Sequence, residues 1–377
     1  MSLFKNLKNS ITENSIFKNI LSRASKDSSD SIDEVEEISQ KEILENVFEE
    51  IQEEMFSLRE FFEEIDSLGD HKHWKVIEVE NKIQNLIDEY PLVLRCQDSN
   101  GYNLGMIATG YGSSLTKLIE MSLDDEVAAV QQNLDGKNIG MKAAENGLED
   151  MVLKALDNEV ASVQQSYGCF NIGMYAASNE LEQATLKALD NKIASLQQAN
   201  GSNETISMIA ARRNLKLATL KSLENPESMI LQNNSGKNIG YYCARNGWVD
   251  CVMKVLDNDI ASTQQSKDSR NLGMDCFFLR LQPCVEKAME NPIARLQVDE
   301  QGRTIGHMVS QYCLKELTIK AIEMYEDLYQ EDIWGDTIIC NALNMCNKEV
   351  NEAIVHRDIK NNNQENNETE IDTNEMI

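Results

Sequence analysis

From Gly101 onward, apolar and polar positions recur with a period near 33 residues. Aligned segments begin at Gly101 (GYNLGMIAT), Gly136 (GKNIGMKAAENG), Phe170 (FNIGMYAASNE), Glu204 (ETISMIAARRN), Gly236 (GKNIGYYCARNG), Arg270 (RNLGMDCFFLR), Gly302 (GRTIGHMVSQY) and Gly335 (GDTIICNAL). One Asn/Thr column runs through Asn103, Asn138, Asn171, Thr205, Asn238, Asn271, Thr304 and Thr337, with spacings of 35, 33, 34, 33, 33, 33 and 33. Each of these eight units reads as a turn around G-x-N, a short first helix, a second helix and an extended connection. Gly140, Ala143, Ala144 and Gly147 put small groups on one side of the first helix, which lets neighbours approach closely. Leu148, Met151, Val152, Ala155 and Leu156 fall at helical spacing in the second, matched one unit later by Leu181, Ala184, Thr185, Ala188 and Leu189. No single unit can bury such a face, so the pattern predicts an all-α repeat solenoid over residues 71–357.

Upstream, Leu44, Phe48, Ile51, Met55, Leu58, Phe62 and Ile65 step alternately by 4 and 3, a seam along one side of a helix within residues 31–70. This predicts a helical cap over the first repeat, with an intermolecular coiled coil as the alternative. Residues 1–30 form a basic leader with two similar pieces, LFKNL and IFKNI, read as a frayed terminus or a short amphipathic docking peptide. The tail, residues 358–377, is polar and acidic and is expected to be disordered.

Reading down equivalent positions gives further columns. Lys154, Lys187, Lys221, Lys254, Lys287 and Lys320 stand three residues before Asp157, Asp190, Glu224, Asp257, Glu290 and Glu323. On a helix, i and i+3 are neighbours, so each unit is expected to carry its own ion pair, worth about 0.2–0.5 kcal/mol. Gln132, Gln165, Gln198, Gln232 and Gln265 form a polar column whose amides can link unit to unit or read a peptide backbone.

Charge narrows the choice of partners. With 63 acidic and 35 basic side chains in 377 residues, the net charge is −28. That argues against nucleic acid and anionic lipid as partners. No run of 18 apolar residues offers a membrane span. The nine cysteines contain no C-x-x-C pair, and a reducing, cytoplasmic setting follows. Cys243, Cys251, Cys276 and Cys284 fall at compact apolar positions. His71, His73, His307 and His356 supply no metal-ligand spacing, and no phosphate-binding, nucleophile-elbow or zinc-protease motif occurs. No cofactor, metal or catalytic residue is expected, and the chain reads as a non-enzyme.

The repeat resembles the ankyrin-repeat family, whose unit is a β-turn with two antiparallel helices and the signature T-P-L-H-x-A. The counterpart here is Thr304-Ile305-Gly306-His307-Met308-Val309 in the nearest unit and Asn138-Ile139-Gly140-Met141-Lys142-Ala143 in a typical one. The glycine that usually ends the second helix is missing, and Asn158, Asn191, Asn225, Asn258 and Asn291 are expected to take its left-handed role. The resemblance implies a protein partner held on a concave face lined by turn tips and first helices. By position the candidates are Lys142, Glu145, Tyr175, Ser178, Arg212, Arg213, Tyr242, Arg245, Phe278, Gln311 and Tyr312, with Arg212, Arg213 and Arg245 forming a basic island; the alternative is that these side chains merely cover neighbouring helices. Two other roles stay open: self-assembly through residues 44–65, and delivery into a host cell as an effector with the acidic tail as export signal.

Overall fold

The computed structural model describes residues 32–64, 69–326, 328–344 and 347–357, with side chains described for 40–60 and from 75 on. The basic leader, the acidic tail, the side chains of His71, His73 and Phe62, and Ile65 lie outside the described residues. Among the described residues the chain is helical throughout, with no strand. It forms two compact units, residues 1–131 and 132–377.

In the first unit, α1 (Ile32–Glu64) packs against α2 (Gly69–Glu89), against a 3-10 turn at Pro91–Arg95 and against the first helix of the first repeat, Leu104–Thr109. The seam is spent on this packing. Phe48, Ile51, Met55 and Leu58 are all buried, Ile51, Met55 and Leu58 completely.

In the second unit the first helices are uniformly seven residues long, from Ile139–Glu145 to Ile338–Asn344. The Asn column explains why each begins where it does. Asn171 Oδ1 accepts from Met174 N at 2.9 Å, capping the helix. Its Nδ2 donates to Ala194 O at 2.9 Å and to Gln197 Oε1 at 2.7 Å, tying the far end of the same repeat back to its turn. Gln197 Nε2 then reaches Val163 O of the preceding repeat at 2.8 Å. Asn271 and Gln297 repeat the arrangement. Where the column holds Thr205, which has no amide to donate, the Gln position holds Leu231. In the repeat with the fullest signature, His307 Nε2 lies 2.8 Å from Gln330 O and takes over this bridging role.

Three expectations are corrected. The connection after the second helix is not simply extended: it opens with a single helical turn, such as Glu159–Val163 or Lys192–Leu196. Asn158, Asn191, Asn225, Asn258 and Asn291 cap the N-termini of those turns with φ between −98° and −78°, so they do not adopt the left-handed conformation. Left-handed backbone lies instead at the turn tips, such as Gly136, Cys169 and Gly236, and between the first and second helices, at Gly147, Glu180, Asn214, Gly247, Arg280 and Cys313. Gly147 therefore belongs to that turn and not to the packed helix side.

The Lys and acid columns also pair differently. The second helices end at Ala155, Ala188 and Ser222, so the acid three residues after each lysine lies past the helix end and loses the i,i+3 geometry. Four of the six lysines turn to the preceding repeat: Lys187 to Asp157 at 2.6 Å, Lys221 to Asp190 at 2.6 Å, Lys287 to Asp257 at 2.9 Å and Lys320 to Glu290 at 3.4 Å. Where the second helix runs on to Glu290, the local Lys287–Glu290 pair forms as well, at 3.5 Å. The Gln column links units as expected, through backbone carbonyls: Gln132 Nε2 donates to Gln165 O at 3.1 Å and Gln198 Nε2 to Gln232 O at 3.0 Å.

Close approach is set by glycine. A Cβ on Gly173 would lie 2.5 Å from Ile206 Cδ1 and 2.6 Å from Ala188 Cβ. The turn tips also join in sequence, with Tyr167 N donating to Asp135 O at 3.0 Å and Lys267 N to Ser235 O at 2.9 Å.

Candidate functional site

The candidate residues sit at three positions of each first helix and its end, and the structure sets beside them a column the sequence analysis passed over. This is the residue just before the Asn/Thr cap: Lys137, Phe170, Glu204, Lys237, Arg270 and Arg303. It meets the residue eight places on, at the end of the first helix. Lys137 pairs with Glu145 at 2.5 Å, Glu204 with Arg212 at 3.2 Å, the Arg270 guanidinium lies 5.1 Å from the centre of the Phe278 ring, and Arg303 Nη1 donates to Gln311 Oε1 at 3.5 Å. The residue before the cap lies outside the helix, so helical periodicity does not predict the pairing. The column itself was there to be read.

In repeats 2 to 4 this chemistry closes on itself. Glu145 accepts from Lys137 and also from Lys142 at 2.8 Å. Burial alone would raise its pKa, but those two ammonium groups outweigh it and hold the carboxyl below its usual range. Lys137 further sits 5.5 Å from the Tyr175 ring centre, and Tyr175 donates to Ser166 Oγ at 3.3 Å, while Ser178 is half-buried. Arg213 pairs with Glu180 at 3.7 Å. Two members of the expected basic island are thus neutralised, which leaves Arg245 alone. Tyr242 is a second correction: it is buried, donating to Glu204 at 2.8 Å and accepting from Asn233 Nδ2 at 2.8 Å. Burial and the Glu204 carboxylate push its phenol well above the ordinary tyrosine value. It faces its neighbours' polar groups because the tip of its own repeat supplies Asn233.

Repeats 5 to 7 differ. Phe278 is 41% exposed and Tyr312 59%. The Phe277 ring stands edge-on to both, at 5.4 and 5.2 Å between centres. Together with Arg280, Gln282, Val285 and Leu314 these rings line a groove of about 420 Å³. Tyr312 and Phe278 were named by sequence; Phe277 and Leu314 were missed because apolar residues near a helix end read as core, and Arg280 because it sits in the turn between the helices. Beside Phe278, Arg270 reaches Asp268 at 2.9 Å and the buried Asp275 at 3.8 Å. Burial drives the Asp275 carboxyl up to about 6 against the pull of Arg270 and Lys237.

No group of three or more metal-ligating side chains occurs among the described residues, and no helix there is long and apolar enough to cross a membrane. Cys243, Cys251, Cys276 and Cys284 are fully buried. The contact with Cys251, together with burial, pushes the Cys243 thiol up, and Cys284 does the same to Cys276, so neither offers a thiolate.

No family model matches the sequence, and no curated protein matches it. Among solved structures, a chain from the complex of a predatory endopeptidase of Bdellovibrio bacteriovorus with an immunity protein is 17% identical over 52% of this chain and 99% of that one, at a TM-score of 0.40. An ankyrin repeat protein from Leishmania major is 14% identical, covering 58% and 80% at 0.43, and the ankyrin repeat domain of Bcl-3 is 12% identical, covering 56% and 95% at 0.45. The repeat geometry carries the assignment of fold: joined turn tips, paired antiparallel helices and a capped column recurring every 33 residues or so make the chain an all-α solenoid of ankyrin-like repeats.

Proposed function

We propose that this chain is a protein-binding scaffold whose partner docks on the turn and first-helix side of repeats 5 to 7. What carries the reading is the exposed pair Phe278 and Tyr312 flanking a groove of about 420 Å³. Exposed aromatic side chains beside an apolar depression are the residue types and shape that anchor protein partners. Lys142, Glu145, Arg212 and Arg213 are held by ion pairs within the stack, and their proposed role shrinks to shaping the surface. The self-assembly reading loses ground too, because the middle of the 44–65 seam is packed inside its own unit.

Affinity capture from the native cell with the intact protein and with the double variant Phe278→Ala/Tyr312→Ala tests this. The double variant is expected to lose the captured partner while keeping its helical circular dichroism. Capture that survives the double variant but fails when Arg212 and Arg213 are replaced would move the site to repeat 4.

A further inference from the structure

We propose that repeats 5 and 6 build a recognition site for an oxyanion side chain, carboxylate or phosphate, on an acidic segment of the protein partner. This rests on the docking reading above and names the chemistry of the docked segment.

The first observation is a break in the pairing rule. At the position where Lys137 meets Glu145 and Glu204 meets Arg212, repeat 5 carries two cations, Lys237 and Arg245. Neither forms a direct ion pair among the described residues; Lys237 acts on the Asp275 carboxylate only at longer range, and its ammonium lies 3.7 Å from the centre of the Tyr241 ring. An ammonium held on an aromatic face by the ring quadrupole has no opposite charge to give up before it meets an incoming anion. The second observation is independent. Ser266 Oγ is buried and has no hydrogen-bond partner, and it lines a small cavity together with Lys237, Tyr241, Arg270 and Asp275. Its counterpart Ser166 in repeat 3 is satisfied by the Tyr175 hydroxyl at 3.3 Å; the residue that would do so here is Asp275. The cavity holds about 10 Å³, room for one oxygen atom, and opens on one side, so one oxygen of a carboxylate or phosphate fits while the rest of the group stays outside. The Ser266 hydroxyl and the Lys237 ammonium are the donors, and charge-assisted bonds of this kind are the strong ones. Arg270, stacked on Phe278, joins the cavity to the apolar groove, so the segment reads as an acidic or phosphorylated residue followed by a bulky apolar one.

The test titrates full-length protein into short fluorescein-labelled Gly-Ser peptides that differ only in a central Glu-Phe, phosphoserine-Phe or Ser-Phe pair, read by anisotropy. The Glu and phosphoserine peptides are expected to bind at least about tenfold tighter than the Ser peptide. Lys237→Ala and Ser266→Ala each erase that preference, Asp275→Asn enlarges it by removing a competing carboxylate, and Lys348→Ala, a remote exposed cation, leaves it unchanged. The tighter of the two oxyanions names the source. Equal binding of all three peptides, or a loss matched by Lys348→Ala, overturns the site. If the peptides fail to discriminate while Phe278→Ala/Tyr312→Ala still abolishes capture, the oxyanion site falls and the docking face stands; discrimination that obeys Lys237 while capture survives the double variant is the opposite failure.

Discussion

At the scale of single residues, the buried asparagine of the five repeats that carry one holds three bonds at once. Replacing Asn171 with Ala removes a cap, leaves the Gln197 amide oxygen without its donor and leaves the Ala194 carbonyl with only the Gln197 backbone N–H. A loss of about 2–4 kcal/mol in urea unfolding is expected. Repeat 4 shows how the chain dispenses with this network, so Asn171→Thr combined with Gln197→Leu should recover part of that loss; purely additive costs in the double-mutant cycle would contradict the coupling. Asp275 gives a prediction in pH. Its pKa rises from 3.8 to about 6 on folding, so the folded state binds more protons between those values and stability falls as pH climbs through the window. Asp275→Asn removes the penalty and should stabilise the protein by about 2 kcal/mol at pH 7, with the gain fading toward pH 4. The Asn column was visible in the sequence, but its Gln partners were not, because the bond crosses 26 residues and a second Gln stands beside each partner. Asn158 and its equivalents were misplaced for a related reason: asparagine serves both left-handed positions and N-caps, and the choice depends on whether a helix follows.

At the scale of elements, period and helix pairing were legible from small and aliphatic residues alone. Exact helix ends were not, and the Lys–acid columns turned on them: two residues of helix decide between a bond within a repeat and a bond between repeats. Two substitutions probe the element geometry. Gly173→Ala drives a methyl into Ile206 and Ala188 and should cost about 1–3 kcal/mol, lowering the melting temperature. Glu180 holds φ at 63°, where a side chain is strained, so Glu180→Gly should stabilise by about 0.5–1 kcal/mol despite losing an exposed ion pair to Arg213. A destabilising outcome there would show that the turn is not left-handed.

At the scale of the whole molecule, an acidic chain leaves two cations of repeat 5, Lys237 and Arg245, without a direct ion pair among the described residues. Composition announced the net charge, and the sequence reading set the basic island on Arg212, Arg213 and Arg245. Pairs formed eight and 33 residues away quench the first two, while Lys237 and Arg245 stay open. The aromatic pair Phe278 and Tyr312 was recognisable from the sequence; the groove between them needed side chains from two repeats. Hydrogen–deuterium exchange of the full chain, alone and with its captured partner, measures the docking face directly. The account predicts new protection at 236–245, 270–281 and 303–315 and none at 149–155 or 182–188. Protection confined to the second helices or to residues 44–64 would contradict it.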